Sequence, residues 1–338
     1  MNSASDNQKT NDFDLITIGD STIDTFIKIH DASVVCGINR EECKLCVTYG
    51  DKIPVESLSR AVAGNAANVA AASAKLGLKT AIYTNLGNDS EGELIKRTLV
   101  ECGVSDEYIN VDAEKSSNTS VILGFQGERT AFVYHQPWFY NLPDLAKSKW
   151  VYFTSVAESF IESNIVDEVA HYVDKTGAKL AFAPGTFQIK ANIKRYPKTL
   201  ERCELLCCNV EEAKKILAIE LAEKVSTADL LSKLHLLGPK MILMTDGEEG
   251  SYVSDGSKTF KAGIFPAQIV EKTGVGDAYC AAFISALSLG QSVEEAMIWG
   301  TINASSVLRH IGPQVGQMKR DDLVKYRNTV PEMVATKI

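Results

Sequence analysis

The chain has 338 residues, of which 45% are hydrophobic and 23% charged. That balance excludes a disordered or fibrous chain, and the length suits one large domain or two ordinary ones. Lys and Arg number 35 against 43 Asp and Glu, a net charge of -8, so a nucleic acid partner is not expected, because phosphate contacts need a positive excess.

Residues 1–12 are polar and lack the basic-then-apolar run of a signal peptide, which reads as a tail and a cytoplasmic location. Residues 15–18, apolar and β-branched, read as a buried strand ending at Gly19. Further strands are expected over 80–84, 149–154, 179–183, 204–208 and 241–244. Helices are expected between them over 65–76, 90–102, 159–176, 210–217 and 227–237, and a mostly helical C-terminal part over 277–289, 293–309 and 320–327. Strands alternating with helices imply a parallel sheet covered on both faces. The longest uncharged run, residues 278–293, is too short and too polar to span a bilayer, so no membrane partner is expected.

Two regions break the alternation. Residues 25–59 lack a helical period, while 119–125 and 130–135 flank a Gln126-Gly127-Glu128-Arg129 turn. Together they suggest a small sheet inserted into the α/β body, a lid or dimer surface; an irregular loop is the alternative. Eight cysteines are too sparse for a disulfide scaffold, so reduced thiols are expected, Cys36, Cys43 and Cys46 reading as buried structural thiols rather than a zinc site.

Four segments carry chemistry. In Glu271-Lys272-Thr273-Gly274-Val275-Gly276-Asp277, two glycines turn the chain into a helix whose free N–H groups form an anion site. Asp277 in the first turn could take a proton from a hydroxyl, or simply cap the helix. Gly64-Asn65-Ala66-Ala67-Asn68 opens a helix of small residues, with Asn68 able to face a polyhydroxy substrate or to be plain packing. Asn209 and Glu212 follow a strand and also fit a capping box. Thr245-Asp246-Gly247, leading to Gly250, ends a strand in a turn suited to phosphate. Neither a P-loop nor a dinucleotide fingerprint is present.

In this order, over residues 13–318, these segments resemble the ribokinase-like carbohydrate and nucleoside kinases, the PfkB family. The resemblance implies a three-layer α/β/α sandwich with a mainly parallel central sheet and a small inserted β-sheet lid. Its domain would span 13–338, with lid insertions at about 25–59 and 118–135. It makes Asp277 the catalytic base, and Gly274, Val275 and Gly276 the anion hole. Asp24, Gly64, Asn65 and Asn68 would hold the acceptor, and Thr245, Gly247, Gly250 and Asn209 the nucleotide, with Asn303 lining the adenine pocket. Glu212 would organise Mg²⁺, largely through water. The implied activity is transfer of the γ-phosphoryl group of ATP to a hydroxyl of a sugar, and a homodimer through the lid goes with it.

A nucleoside acceptor is the alternative, its base held by Phe26, Phe132, Tyr134, Trp138 or Phe139; a sugar phosphate ranks third, and a non-catalytic sugar-binding regulator is the reading from another class. Glu271 and Lys272 stand where the family has Asp and then Thr or Ser, and Val275 where it has Ala or Ser. Activation by a monovalent cation is therefore open, with Lys272 either bracing the loop or facing solvent.

Overall fold

The computed structural model describes residues 13–37 and 43–338, so the tail expected over residues 1–12 lies outside the described residues. The chain begins β1 (Phe13–Ile18), β2 (Thr22–Ile29), β3 (Ser33–Cys36), β4 (Cys43–Cys46), β5 (Val55–Ala63), α1 (Asn65–Lys75), β6 (Thr80–Gly87) and α2 (Ser90–Glu101). Short strands β7 (Val104–Ser105) and β8 (Ile109–Asp112) lead to the hairpin β9 (Thr119–Phe125) and β10 (Glu128–Tyr134). Alternation resumes with β11 (Ser148–Phe153), α3 (Ile165–Thr176), β12 (Lys179–Phe182), α4 (Thr186–Lys190) and α5 (Pro197–Glu201). Then come β13 (Cys203–Asn209), α6 (Val210–Leu217), α7 (Thr227–His235) and β14 (Met241–Thr245). Strands β15 (Ser251–Ser254) and β16 (Thr259–Ala262) precede α8 (Val275–Ser288), α9 (Val293–Val307), α10 (Arg320–Asn328) and β17 (Thr336–Lys337).

The large sheet is parallel in the order β7, β6, β1, β11, β12, β13, β14 and continues antiparallel through β15, β16 and β17. Because side chains alternate across a strand, its residues feed two cores. Ile16, Val151, Phe153, Leu180 and Leu206 pack beneath α3, α6 and α7, while Leu15, Trp150, Tyr152, Leu205 and Leu243 pack beneath α8 and α9. This is the expected three-layer sandwich.

A separate sheet, in the order β10, β9, β2, β5, is built from the two regions that break the alternation. Gln126 and Gly127 turn the β9–β10 hairpin with φ of 51° and 83°, the two-residue geometry that matches strand twist. Ile23 and Val62 anchor the base of this sheet against Ala66, Ala70 and Leu99 of the main body.

Three expectations are corrected. The helix over 159–176 is a single 3₁₀ turn over Glu158–Glu162 and then α3, because the Ser163 hydroxyl donates to the Phe160 carbonyl at 2.8 Å and ends the first turn. The C-terminal part contains β15–β17 as well as helices; β15 is four residues, buried on both faces, and so shows no alternation. Cys36 and Cys43 are not reduced buried thiols but an exposed disulfide, because the β3–β4 register sets them opposite each other, Cα to Cα 4.0 Å. Cys46 is exposed and free, whereas Cys203, Cys207, Cys208 and Cys280 are buried.

Candidate active site

Small residues create the centre of the site. Val69 and Ala72 of α1 share one core cluster with Cys280, Ala281 and Ala282 of α8, and these short side chains let the two helices pack directly on each other. That approach brings Asn65 and Asn68 to Asp277: their side-chain amides donate to its two carboxylate oxygens, each at 2.8 Å. Asn68 is pinned in turn, its oxygen accepting from Gln314 at 3.3 Å. Burial raises the Asp277 pKa from 3.8 to about 6, offset in part by the two amides and by the charge of Arg129.

Gly274 caps α8 with φ of 78°, and a Cβ there would lie 2.2 Å from the Pro313 side chain. The first intrahelical bond runs from the Ala278 N–H to the Gly274 carbonyl. The N–H groups of Val275, Gly276 and Asp277 therefore have no intrahelical acceptor and face outward at the positive end of the helix.

A second buried carboxylate stands on the small sheet. Asp24, 5% exposed on β2, lies opposite Ser120 of β9, and its Oδ1 has no hydrogen-bond partner among the described residues. Burial raises its pKa to about 6; the Ser120 hydroxyl, Arg129 and His135 work against the rise and Glu271 adds to it. The charge of Arg129 lowers the pKa of both Asp24 and Asp277. A buried acceptor without a donor suits a bound hydroxyl.

On the far side of Asp277 one cavity holds Asn65, Asn209, Glu212, Thr245, Gly276 and Asp277. A neighbouring cavity shares Thr245 and Gly276 and continues past Gly247 and Gly250 into an apolar slot of Ile264, Phe265, Tyr279 and Leu308. The shared walls join Asp277 to a slot suited to a flat aromatic ring. Asn209 and Glu212 do form the capping box, with bonds of 2.9 and 2.8 Å, and still present the Glu212 carboxylate to the cavity.

Burial raises the Glu212 pKa, and the charge of Asp277 raises it further. Among the described residues no three His, Cys, Asp or Glu groups could hold a metal unaided. Two carboxylates with raised pKa facing one cavity fit a hard cation held chiefly through water and phosphate oxygens.

Asn303 does not line the slot. It is buried between α8 and the loop after α9, donating to the Ala278 carbonyl and Gln317 and accepting from the Met318 N–H at 2.9, 3.1 and 3.0 Å. Lys272 does not pair within its own loop: its side chain lies at the exposed surface, where its ammonium reaches Glu128 of β10 at 3.1 Å. Of the aromatic candidates for a base, Phe26 lines a cavity beneath the small sheet. Trp138 is buried in the main core, and Phe132, Tyr134 and Phe139 are largely exposed.

Sequence reasoning missed Arg129, Gln314 and the apolar walls Ile264, Phe265 and Tyr279. The Gly312-Pro313 pair was the available signal for the first loop that meets α1 and α8; the slot residues lie far apart in sequence and carry no shared period.

The pfkB family carbohydrate kinase pattern matches residues 29–320. The chain is similar to the ribokinase of Haemophilus influenzae, 24% identical over 292 residues, covering 82% of this chain and 90% of that protein. Among solved structures it resembles Arabidopsis thaliana ribokinase complexed with ribose and ATP, with a TM-score of 0.77 and 24% identity over 92% of this chain and 97% of that one. It also resembles the adenosine kinase of Sinorhizobium meliloti, with a TM-score of 0.71 and 22% identity over 94% and 99%.

Proposed function

Since the chain belongs to the pfkB family of carbohydrate kinases, we propose that it transfers the γ-phosphoryl group of ATP to a primary hydroxyl of a small neutral sugar, with Asp277 as base. The observation that carries this reading is Asp277 itself: a buried carboxylate in the first turn of α8, beside N–H groups with no intrahelical acceptor and held by the amides of Asn65 and Asn68. Asp24 would accept acceptor hydroxyls, and Gly64, which caps α1, would bring its backbone against the same ligand. Asn65 and Asn68 hold the Asp277 carboxylate for in-line proton abstraction. Thr245, Gly247 and Gly250 would track the phosphates, and the apolar slot would take the adenine.

With proximity and charge neutralisation as the main catalytic terms, the N–H groups of Val275, Gly276 and Asp277 stabilise the charge on the transferring group. Glu212 and Asn209 would hold Mg²⁺, largely through water, and the ion would supply further neutralisation of the phosphates. The small sheet acts as a lid, excluding water and limiting wasted hydrolysis.

The lid also offers a surface for a second copy of the chain. All of β10 is exposed, and Phe132 and Tyr134 on it share one face of the sheet with Val121 of β9 and Leu58 of β5, an apolar face that a homodimer would cover. Light scattering tests this: a monomeric mass at micromolar concentration would refute it. A cytoplasmic setting, where ATP is available, goes with the activity.

A nucleoside acceptor is the second reading. Phe26, Ile122, Phe125, Ile269 and Val270 line an apolar cavity between the lid and the loop before Gly274, where a base could lie. An ADP-release screen over pentoses, hexoses, keto-deoxy sugar acids and nucleosides with MgATP separates the two. Turnover confined to sugars supports the first, turnover confined to nucleosides the second, and none with any acceptor sinks both.

A further inference from the structure

The lid hairpin meets the loop before Gly274 at two adjacent positions with reversed charge order. Glu128 pairs with Lys272 at 3.1 Å, and Arg129 pairs with Glu271 at 3.5 Å. The outer pair is exposed, with side chains 79% and 46% accessible, whereas Glu271 is only 16% accessible. The two contacts are therefore unequal: the first lies in water, and the second closes on a shielded carboxylate.

That carboxylate organises the loop. Glu271 Oε1 accepts from the Lys272 N–H at 2.8 Å, the Thr273 N–H at 2.9 Å and the Thr273 hydroxyl at 2.8 Å. Arg129 adds to the same array from outside, its Nη1 donating to the Thr273 hydroxyl oxygen and to Glu271. Thr273 immediately precedes Gly274, whose left-handed conformation starts α8 and aims the free N–H groups. Both contacts come from one guanidinium nitrogen, Nη1, whose two N–H groups can serve a hydroxyl and a carboxylate together.

We propose that Arg129 is a positioning residue: carried by the closed lid, it fixes the loop through Thr273 and Glu271, so that the anion site is fully shaped only when the lid is down. The inference rests on the phosphoryl-transfer reading for its catalytic consequence, and on the contacts of Arg129 alone for its structural one. Arg129 makes no hydrogen bond or ion pair with Asp24 or Asp277; its charge lowers the pKa of both, an influence that Arg129→Lys keeps. Its effect is on the placement of the N–H groups, where a misfit of about 1 Å can lower a rate by about 10²-fold.

The test compares wild type, Arg129→Ala and Arg129→Lys, with thermal melts to confirm folding. In Arg129→Ala, kcat should fall by about 10- to 100-fold with acceptor KM little changed, and hydrogen exchange at the Lys272 and Thr273 amides should quicken. Arg129→Lys, which keeps the charge and one donor, should recover part of kcat and part of the protection. Unchanged kcat in Arg129→Ala, unchanged exchange, or an Arg129→Lys no better than Arg129→Ala would each overturn the proposal. A wild type silent with every acceptor would count against phosphoryl transfer instead, and the exchange rates would still decide the positioning role.

Discussion

Asp277→Asn separates the chemistry of the site from its architecture, because the amide keeps the shape of the carboxylate and cannot take a proton. A general base contributes about 10²–10⁴-fold, so kcat should fall by at least the lower figure. The structure also sets a stability consequence of opposite sign. The Asp277 pKa lies at about 6 against 3.8 for the ordinary group, so the folded chain binds this proton more tightly than the unfolded one. The charged form therefore destabilises the fold as pH rises through about 4 to 6, by about 3 kcal/mol once the group is fully ionised. Asn removes that penalty but turns its own NH₂ against one of the amides of Asn65 and Asn68, a loss of about 1–2 kcal/mol.

At pH 7.5 the variant should thus be more stable by about 1–2 kcal/mol in urea unfolding, a gain that falls away below pH 6 and becomes a loss of about 1–2 kcal/mol near pH 4. Wild-type kcat/KM should fall below about pH 6 as Asp277 takes up its proton. A variant that keeps more than about a tenth of wild-type kcat would refute the base assignment, and a variant less stable than wild type at pH 7.5 would refute the burial argument.

Two further substitutions probe the flanks of the site. Asp24→Ala removes the unpartnered buried carboxylate, and acceptor KM should rise by roughly 10- to 100-fold, the equivalent of about 1–3 kcal/mol, while titration with a non-hydrolysable ATP analogue stays as in wild type; a change confined to nucleotide affinity would place Asp24 in the wrong subsite. Asn303→Ala strips partners from the Ala278 carbonyl, Gln317 and the Met318 N–H. It should lower unfolding stability by about 2–4 kcal/mol with nucleotide affinity nearly intact. A selective loss of ATP binding at unchanged stability would show that it reaches the adenine.

The alternating body of the fold was legible because buried parallel strands are short apolar runs between helical periods, as β1, β11 and β13 are. β15 and β16 were not, since Ser251–Ser254 and Thr259–Ala262 mix polar and apolar residues and form no apolar run. Asp277 and the glycines before it stood out through local sequence alone. Asn65 and Asn68 were visible as candidates, but their bonds to Asp277 depend on the packing of α1 on α8, which no local pattern states. Asn303 shows the reverse: its position on α9 follows from sequence, whereas the direction of its side chain is set by the loop at Gln317 and Met318. The Cys36–Cys43 disulfide follows from the β3–β4 register, which four-residue strands of mixed polarity did not reveal.

The central claim, transfer of a phosphoryl group to an acceptor hydroxyl, is tested most directly by ³¹P NMR of wild-type protein with MgATP and single sugars. The expected result is a phosphomonoester resonance, split by the two protons of a CH₂ group, growing in step with ADP. Inorganic phosphate as the sole new resonance with every sugar and nucleoside, or no consumption of ATP at all, would contradict it.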